Sequence, residues 1–309
     1  MHIRKAVIFG AAGATGRPIA RELLRRGIQV RVVSRNRGRL DRAFQGTGAE
    51  IAEADLKYGE AARRAADSCD LIFHCLGVPL NRFRDHIPLA RSTVSAMRST
   101  GARGLLVGSF WSYEPILGNP VSETHPRRSR TLLGRIRREQ EDILQEAGAA
   151  VTILPDFYGP HAEAGLLNPA LRAIDAGKTA NWIGDLDAIR EFIHVPDCAF
   201  PIVELALRES SYGERWHVAG PGPVTPRELL RMAGIRSGRE PGARTATPFV
   251  LSLLGLINSD VRALKELYPL YLNPPILDTR KLRGLIGDYP VTSYESGIEQ
   301  TINWIRKPR

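Results

Sequence analysis

The sequence predicts an α/β fold: a doubly wound parallel sheet with helices on both faces, followed by a small, mainly helical C-terminal lobe. Three observations predict it. Apolar runs alternate with amphipathic stretches through the first half of the chain, the first run breaks into a glycine-rich turn, and beyond about residue 160 proline-punctuated helical patterns replace the alternation. Such alternation is typical of strand–helix–strand units that join into one parallel sheet.

The first strand and its turn are the most informative stretch of the chain. Residues 6–16 read AVIFGAAGATG, and an amphipathic helix follows them. A turn of this kind lets backbone N–H groups approach a pyrophosphate, and the first helical turn adds a positive dipole end. The competing interpretation is a turn that only packs the helix on the strand. We expect a Rossmann-type dinucleotide site formed by Gly10, Ala12, Gly13, Ala14, Thr15, Gly16 and Arg17.

The remaining strands are assigned from apolar runs that separate the helical patterns. We predict them at residues 29–34, 49–54, 70–75, 104–108 and 150–154, with returns to the sheet at 192–195 and 216–218. Ligands bind beyond the carboxyl ends of strands in open α/β sheets. One crevice should therefore be lined by the residues that follow these strands, which are Asp55, Leu56, Leu76, Gly77, Ser109 and residues 155–160.

The end of the second strand predicts which dinucleotide binds. Where an acidic residue would hold a ribose 2′-hydroxyl, the chain has Ser34 and Arg35, with Arg37 and Arg39 close behind. A carboxylate would repel a 2′-phosphate, whereas a guanidinium binds it through charge-assisted hydrogen bonds. We therefore expect NADP rather than NAD, although a run of arginines after a strand can also be only a solvated face.

The amino-acid composition indicates which classes of ligand and partner to expect. The chain has 309 residues, with 43 Lys plus Arg against 33 Asp plus Glu and a formal charge of +10. This balance favours an anionic small-molecule substrate, and no helix-turn-helix, zinc-finger or RNA-binding pattern predicts a nucleic acid partner. Three badly spaced cysteines and isolated histidines predict neither disulfides nor a metal site. Because the longest late apolar stretch, residues 249–257, is about half a membrane span, we expect a soluble, cytoplasmic protein with no membrane partner.

Short motifs follow one another along the chain in a recognisable order. They are GAAGATG at 10–16, ADL at 54–56, the segment 109–113, ETHP at 123–126, FYGP at 157–160 and REFIHVPDCA at 190–199. In this order and spacing the chain resembles the extended short-chain dehydrogenase/reductase family, in its NAD-dependent epimerase/dehydratase branch. The resemblance implies an NAD(P)-binding domain of residues 1–160 and 188–220, and a substrate-binding lobe of residues 161–187 and 221–309.

The resemblance also implies roles for residues near the cofactor. Asp55 matches the acid that contacts the adenine, and Ser109 matches the hydroxyl that polarises a substrate oxygen. Pro155 and Tyr158 match residues near the nicotinamide, and Tyr158 would also contact the substrate. Each has a structural alternative, because Asp55 could cap a helix, Ser109 could satisfy a strand-end amide and Tyr158 could lie in the core.

Two further expectations follow from the family. Arg190 matches an arginine that holds a substrate phosphate in the sugar-nucleotide enzymes of this branch, although it could instead pair with Asp185 or Asp187. Family members often dimerise through two helices, for which the candidates here are residues 82–100 and 130–147. A homodimer is therefore a candidate assembly.

One position departs from the family's active site. The family uses a Tyr-x-x-x-Lys dyad, in which the phenol is the general acid and the ammonium one turn away lowers its pKa. Here Leu133 and Arg137 stand at these two positions. Leucine cannot transfer a proton, whereas arginine can still donate hydrogen bonds to ribose hydroxyls. Because epimerisation in this family relies on the tyrosine, a nucleotide-sugar epimerase is not expected.

Three interpretations of this departure remain open. In the first, Ser109, Tyr113 and Arg137 form the catalytic set and Tyr113 supplies the proton, with other donors in reach being Tyr158, His125 and His161. In the second, an activated double bond is reduced, and water or the substrate supplies the proton. Both describe an NADP(H)-dependent reductase of a small carbonyl or activated alkene substrate. In the third, the protein is a noncatalytic NADP-binding redox sensor or scaffold.

Overall fold

A seven-stranded, wholly parallel sheet organises the computed structural model, which describes residues 3–163, 165–257 and 259–307. The strands of the chain are β1 (Lys5–Phe9), β2 (Gln29–Ser34), β3 (Glu50–Glu53), β4 (Leu71–His74), β5 (Arg103–Ser109), β6 (Ala150–Leu154), β7 (Asp156–Tyr158), β8 (Ala180–Ile183), β9 (Phe192–His194), β10 (Arg215–His217) and β11 (Ala243–Ala246). The main sheet has the order β10–β6–β5–β4–β1–β2–β3. The direction of winding reverses between β1 and β4, where an open sheet of this kind forms its crevice.

The helices cover both faces of this sheet and build the second lobe. They are α1 (Gly16–Arg25), α2 (Arg37–Phe44), α3 (Gly59–Ala66), α4 (His86–Thr100), α5 (Leu132–Glu146), α6 (Leu167–Asp175), α7 (Ala199–Ala206), α8 (Pro226–Ser237), α9 (Pro248–Leu254), α10 (Ser259–Glu266), α11 (Tyr268–Leu272), α12 (Arg280–Ile286) and α13 (Tyr294–Arg306). The predicted doubly wound α/β fold is confirmed.

Alternation along β1 explains why the sheet is buried on both faces. Val7 and Phe9 pack in one apolar cluster with α3, α4 and α5, whereas Ala6 and Ile8 pack in another with α1, α2 and α7. All four side chains are fully buried. Because successive strand residues point to opposite faces, a continuous apolar run satisfies both layers of helices.

The strand predictions are confirmed for the main sheet, with one exception. β2 and β6 have the predicted bounds. Of the predicted residues 216–218, the first two fall on the edge strand β10, which ends at His217. The prediction that residues 192–195 return to the same sheet is wrong, because β9 pairs with β7 in a separate two-stranded ladder. An apolar run of four residues carries no information about which neighbour it will pair with.

The second lobe has its own core. Helices α6, α8 and α13 pack around buried side chains that include Trp182 and Phe192, and β8 pairs with β11 beside them. Leu282 of α12 instead joins the cluster that also holds α1 and α7, so part of the C-terminal segment covers the main sheet. The lobe boundaries at 160, 188 and 220 stay predictions. No helix in the described ranges is both long and apolar enough to cross a membrane.

Candidate functional site

Each of the three glycines of the first turn is required for a different structural reason. Gly10 has φ of 86°, and a Cβ there would lie 2.6 Å from the carbonyl oxygen of Cys75. A Cβ at Gly16 would lie 2.7 Å from Cα of Ala11, so this glycine lets α1 pack on the strand. A Cβ at Gly13 would lie 3.1 Å from the carbonyl oxygen of Gly10 and 3.9 Å from that of Cys75. Gly10 therefore makes the tight turn, and Gly13 keeps the approach to the backbone open.

A pocket of about 280 Å³ opens beside this turn, at the carboxyl ends of β1 to β4. Nine of the predicted cofactor residues line it, which are Gly10, Ala12, Gly13, Ser34, Arg35, Asp55, Leu56, Leu76 and Gly77. A Cβ at Gly77 would meet no atom within 4 Å, because this glycine faces the open space. Thr15 and Gly16 are buried in the first turn of α1, and Ala14 and Arg17 border a neighbouring groove along that helix.

Positive charge accumulates at the end of this pocket nearest β2. Arg35 and Arg39 line the pocket and are exposed. Burial lowers the pKa of Arg17, and the nearby charges of Arg39, Arg21 and Arg42 lower it further. Among the described residues these five arginines form no ion pair, whereas Arg37 pairs with Asp41. Like charges held together without carboxylates attract a multiply charged anion.

Asp55 follows β3, the strand that pairs with β2, so it lies near the end of β2. Its side chain is exposed, and its carboxylate accepts a hydrogen bond of 3.1 Å from the backbone N–H of Lys57. The ammonium of Lys57 lies 2.9 Å from a carboxylate oxygen of Asp85, so an ion pair borders the same pocket. Asp55 therefore stabilises a turn at the pocket. It does not cap α3, whose N-cap is Tyr58, and its contact with an adenine stays a prediction.

Ser109 and Arg137 do not line this pocket. Ser109 is the last residue of β5, and Arg137 lies on α5. The hydroxyl of Ser109 is buried and has no hydrogen-bond partner among the residues that the structure describes. The guanidinium of Arg137 lies 4.9 Å from the ring centre of Phe83 and 5.9 Å from that of Trp111. Its Nε is buried without an acceptor in the same described ranges, and burial lowers the pKa of Arg137 to about 10. Buried donors of this kind are usually satisfied by a protein group, an ordered water or a ligand.

A buried hydrogen-bond chain fixes the orientation of Arg137. Thr93 donates its hydroxyl proton to the carbonyl of Leu89 at 3.0 Å, so Nδ1 of His74 must donate to the Thr93 oxygen at 2.8 Å. Nε2 of His74 is then an acceptor, and the amide of Gln140 donates to it at 3.0 Å. The amide oxygen of Gln140 accepts from Arg137 at 2.7 Å. The donor and acceptor roles of His74 and Gln140 therefore follow from the hydrogen bond that Thr93 donates.

A neutral His74 is consistent with its surroundings. Burial, together with the nearby charge of Arg137, lowers the pKa of His74 to about 3. The amide of Gln140 also donates to Nδ1 of His86 at 3.2 Å, which leaves the proton of His86 on Nε2. That Nε2 is buried with no acceptor in the part of the chain described here. Two unpartnered donors, on His86 and Arg137, therefore belong to one network.

Comparison with known proteins shows which family the pocket-forming part of the chain resembles. Residues 10–156 match the protein family described as NAD(P)H-binding. This part of the chain is similar to NAD(P)H-binding domains. Every residue that lines the pocket lies inside the matched range.

Relatives of known activity are distant. The chain is 29% identical over 160 residues to the ceramide reductase of Caulobacter vibrioides, covering 50% of this chain and 46% of that protein, so it spans about half of that relative's length. It is 23% identical over 245 residues to the 4-hydroxy-2-methyl-3-oxo-4-farnesyl-3,4-dihydroquinoline-1-oxide ketoreductase of Stigmatella aurantiaca, covering 74% and 72% of the two chains.

The overall fold is that of the epimerase/dehydratase enzymes. A solved UDP-glucuronic acid 4-epimerase from Bacillus cereus, in complex with NAD, superposes with a TM-score of 0.80 at 16% identity and covers 98% of each chain. The predicted resemblance to this branch is confirmed at the level of the fold. The family that residues 10–156 match is one that binds NAD(P)H.

Tyr113 lies outside the pocket of the NAD(P)H-binding domain. Its side chain is fully buried, and its hydroxyl lies 2.8 Å from Nε2 of His217 on β10. Nδ1 of His217 faces the carbonyl of Asp278 at 3.1 Å and must donate to it, so Nε2 accepts the phenol proton. Burial raises the pKa of Tyr113 above its ordinary value. The structure therefore does not bring this phenol to the crevice where we expected a proton donor.

Leu133, at the tyrosine position of the family dyad, is also buried. It is 2% exposed and packs in the cluster beneath α5. Of the other candidate donors, His125 points its Nε2 at the backbone N–H of Leu117, and His161 packs edge-on against Trp304 near α13. None of these side chains lines the pocket beside the glycine turn.

Pro155 and Tyr158 follow β6 but are buried. The phenol of Tyr158 is fully buried in the core of the second lobe, where a Cβ at Gly297 of α13 would collide with its oxygen. This placement agrees with the core interpretation of Tyr158, and its roles near the nicotinamide and the substrate stay untested expectations. Pro155, directly after β6, is buried too.

Arg190 is 1% exposed, and its guanidinium donates to Asp156 at 2.5 Å. The alternative pairing with Asp185 or Asp187 is wrong, because Arg190 has this buried partner and Asp187 pairs with Arg227. The Arg190 guanidinium also lies 5.0 Å from the ring centres of Phe192 and Tyr271. It is enclosed between aromatic rings and does not face the cofactor pocket.

Sequence reasoning missed several residues of the site. His74, Gln140 and His86 come from β4, α5 and α4, and only the fold brings them together. Arg39 was noted in the sequence but not assigned to the pocket that it lines. Glu191 was also missed: it is 5% exposed, accepts from the backbone N–H of Leu277, and burial raises its pKa to about 7. The three free cysteines are buried, and no group of metal-ligating side chains occurs within the described ranges.

Proposed function

We propose that this protein is an NADP(H)-dependent reductase of a carbonyl or activated alkene substrate. The observation that carries the proposal is the unpartnered hydroxyl of Ser109, which ends the strand next to the one that borders the nucleotide pocket. A buried hydroxyl without a partner can donate to an incoming oxygen. Polarising a carbonyl oxygen in this way favours addition of a hydride to the adjacent carbon.

The choice of NADP rests on the unpaired arginines. Arg35 and Arg39 line the pocket at the end of β2, and Arg17 lies close enough to Arg39 for their charges to repel. A 2′-phosphate would relieve this repulsion and accept charge-assisted hydrogen bonds. Among the described residues two carboxylates line the pocket: Asp55, which follows β3 beside the end of β2, and Asp85, which pairs with Lys57.

Arg137 fits the position of the residue that holds the nicotinamide ribose. Its Nε lacks an acceptor, and Gln140 fixes its guanidinium from the far side. Ribose hydroxyls are neutral acceptors and would satisfy this donor at little desolvation cost. The aromatic rings of Phe83 and Trp111 keep water away from the same guanidinium.

The source of the proton is the step that distinguishes this protein from its structural relatives. A reduced nicotinamide, when bound, would supply the hydride for such a reduction, and the residues of the chain would polarise the substrate oxygen that receives the displaced electron pair. Ser109 stabilises that oxygen through its hydroxyl. Leu133 has no proton to give, and Tyr113 already donates its proton to His217. We propose that solvent or the substrate itself completes the reaction by protonating the product.

The named relatives support reduction rather than epimerisation. Both are called reductases, and one is a ketoreductase. Their identity to this chain is low, so they support the reaction class and leave the substrate open.

Turnover of NADPH tests this proposal. We expect absorbance at the reduced nicotinamide band to fall when the protein is mixed with NADPH and a panel of ketones, aldehydes and enones. Ser109→Ala should lower the turnover rate with any substrate that the protein reduces by about a hundredfold, which is the usual effect of losing an oxyanion donor. Ser99→Ala, a change of the same size on the surface of α4, should leave the rate unchanged.

The alternative function is a noncatalytic NADP-binding sensor or scaffold. The observation in its favour is that neither Leu133 nor Tyr113 offers a proton at the crevice. Binding of NADPH without turnover of any substrate in the panel, together with different protease sensitivity in NADP and NADPH, would support the sensor. A ligand can shift a conformational equilibrium only through different affinities for its states.

A further inference from the structure

A short, exposed apolar surface stands apart from the cofactor pocket. It consists of Phe249, Val250 and Leu253 on α9 and of Leu256 and Ile257 in the turn after it, with exposed fractions of 77, 40, 59, 77 and 87%. We call this surface the apolar ridge. Single exposed apolar side chains are common on soluble proteins, but five within nine residues form a contiguous patch that marks an interaction site.

The inner side of the same segment is packed. Leu251 is 3% exposed, and a Cβ at Gly255 would lie 3.1 Å from Cα of Arg262, so α9 lies tightly against α10. Residues 248–257 read PFVLSLLGLI and contain no charge. An apolar stretch of about ten residues is usually either a buried core helix or an interfacial segment. Because the outer side of this one is exposed, the core explanation does not apply to the apolar ridge.

Positive charge borders the apolar ridge. Arg262 and Lys265 on α10 are exposed, and α10 packs against the 3₁₀ segment Leu80–Asp85, which carries exposed Arg84. Within the described ranges these three cations form no ion pair. Residues 241–257 contain one arginine and no acidic residue. The next acidic residues are Asp260 and Glu266 on α10, and the carboxylate of Glu266 accepts from the backbone N–H of Leu132. Apolar side chains beside unpaired cations are the combination that binds a surface with both apolar depth and negative charge.

We propose that the apolar ridge docks on the surface of an anionic lipid bilayer, with α9 lying in the interface and Arg84, Arg262 and Lys265 against the headgroups. This proposal revises the sequence expectation of no membrane partner, and it does not depend on the proposed reductase activity. A second copy of the chain is a poorer occupant, because a symmetric contact would bring the same unpaired cations together. The described helices are too short to span a bilayer, so the contact is peripheral.

The segment next to the apolar ridge also contacts the helix that carries Arg137. The carboxylate of Glu266, at the end of α10, accepts from the backbone N–H of Leu132 at the start of α5 at 2.8 Å. Helix α5 carries Arg137 one turn later. The membrane-facing surface is therefore joined directly to the helix that holds the proposed ribose contact.

Vesicle co-sedimentation of the full chain tests the proposal. We expect binding to vesicles of phosphatidylcholine mixed with phosphatidylglycerol, weak binding to phosphatidylcholine alone, and weaker binding as salt increases. The double change Phe249→Ser and Ile257→Ser should weaken partitioning by about tenfold or more, because both side chains lose their apolar contact with lipid. Ile235→Ser, which removes a similarly exposed isoleucine from α8, is the matched control and should bind as the parent does.

Charge reversal provides the second arm. Arg262→Glu with Lys265→Glu should weaken binding to the anionic vesicles, whereas Arg98→Glu on α4 should change it little. If the Phe249 and Ile257 variant bound the anionic vesicles as strongly as the parent does, the proposal would be overturned, since the binding would depend on net charge alone. The proposal also fails if no vesicle binds, or if the parent forms a dimer that the Phe249 and Ile257 changes dissociate while vesicles remain unbound.

Discussion

The phenol of Tyr113 donates a hydrogen bond of 2.8 Å to Nε2 of His217, across 104 residues of sequence and from one strand end to another. This contact removes from the crevice the residue that the sequence favoured as proton donor. It also ties the turn after β5 to the edge strand β10. The pair is therefore a structural contact in this fold.

Tyr113→Phe tests this interpretation directly. We expect the variant to keep its turnover and its NADPH affinity, and to lose about 1 kcal/mol of unfolding free energy with one buried hydrogen bond. Denaturant unfolding and stopped-flow turnover measure the two effects, and Tyr58→Phe, at an exposed phenol, is the control. A hundredfold loss of turnover would instead make Tyr113 the general acid.

The same pair predicts a pH dependence of stability. Burial lowers the pKa of His217 to about 4 from an ordinary value of 6.5. The unfolded chain then binds more protons than the folded chain between these values, so stability is full above pH 6.5 and falls as the pH drops toward 4. His217→Gln should flatten the slope of unfolding free energy over this window. An unchanged slope, measured by urea titration at several pH values, would show that His217 titrates normally in the fold.

Cofactor preference should depend on Arg35. We expect the unmodified protein to bind NADPH at least about tenfold more tightly than NADH, a gap of about 1.4 kcal/mol. Arg35→Asp should reverse the preference, because a carboxylate repels the 2′-phosphate and can accept from a 2′-hydroxyl. Arg37→Asp is the control, since Arg37 pairs with Asp41 and does not line the pocket. Calorimetric titration with both nucleotides would contradict the prediction if the two affinities were equal.

The glycine turn should be indispensable for binding but not for folding. Gly13→Val places a branched side chain where the pyrophosphate must approach, so we expect nucleotide binding to disappear while circular dichroism stays unchanged. Gly284→Val is the comparison variant, because a Cβ at Gly284 meets no atom within 4 Å. Retained nucleotide binding in Gly13→Val would show that the turn has only a packing role.

Arg137 should contribute to affinity through its hydrogen bonds. Arg137→Ala should weaken NADPH binding by about 1.5 to 3 kcal/mol, the range for hydrogen bonds to a charged group. Arg135→Ala removes an exposed arginine from the same helix and should leave affinity intact. Fluorescence titration of NADPH measures both, and equal effects in the two variants would remove Arg137 from the proposed ribose contact.

Local features of the fold were predictable from the sequence, whereas side-chain directions set by distant segments were not. The glycine turn, the strand ends and the residues Ser34, Asp55 and Gly77 meet at one pocket because parallel strands end at one edge. Tyr113 follows Ser109 by four residues, but the 3₁₀ turn Phe110–Tyr113 rotates its ring toward His217, which no local pattern reveals.

Tyr158 and Arg190 show the same limit. Both belong to motifs that resemble the family's active site, yet the second lobe encloses them with Phe192, and Asp156 pairs with the arginine. The cluster of His74, Gln140 and His86 likewise depends on three elements that are far apart in sequence. Residue type and spacing predicted where ligands approach, while long-range packing decided which side chains reach them.

The pocket beside the glycine turn is lined entirely by residues 10–89, although the sheet that supports it is completed only by β10. A ribosome therefore releases every pocket-lining residue long before it makes α9 and the apolar ridge. A nucleotide that binds the emerging domain would stabilise it by mass action. The concentration of nucleotide during synthesis should then affect the fraction of nascent chains whose first domain is folded when the apolar ridge leaves the ribosome.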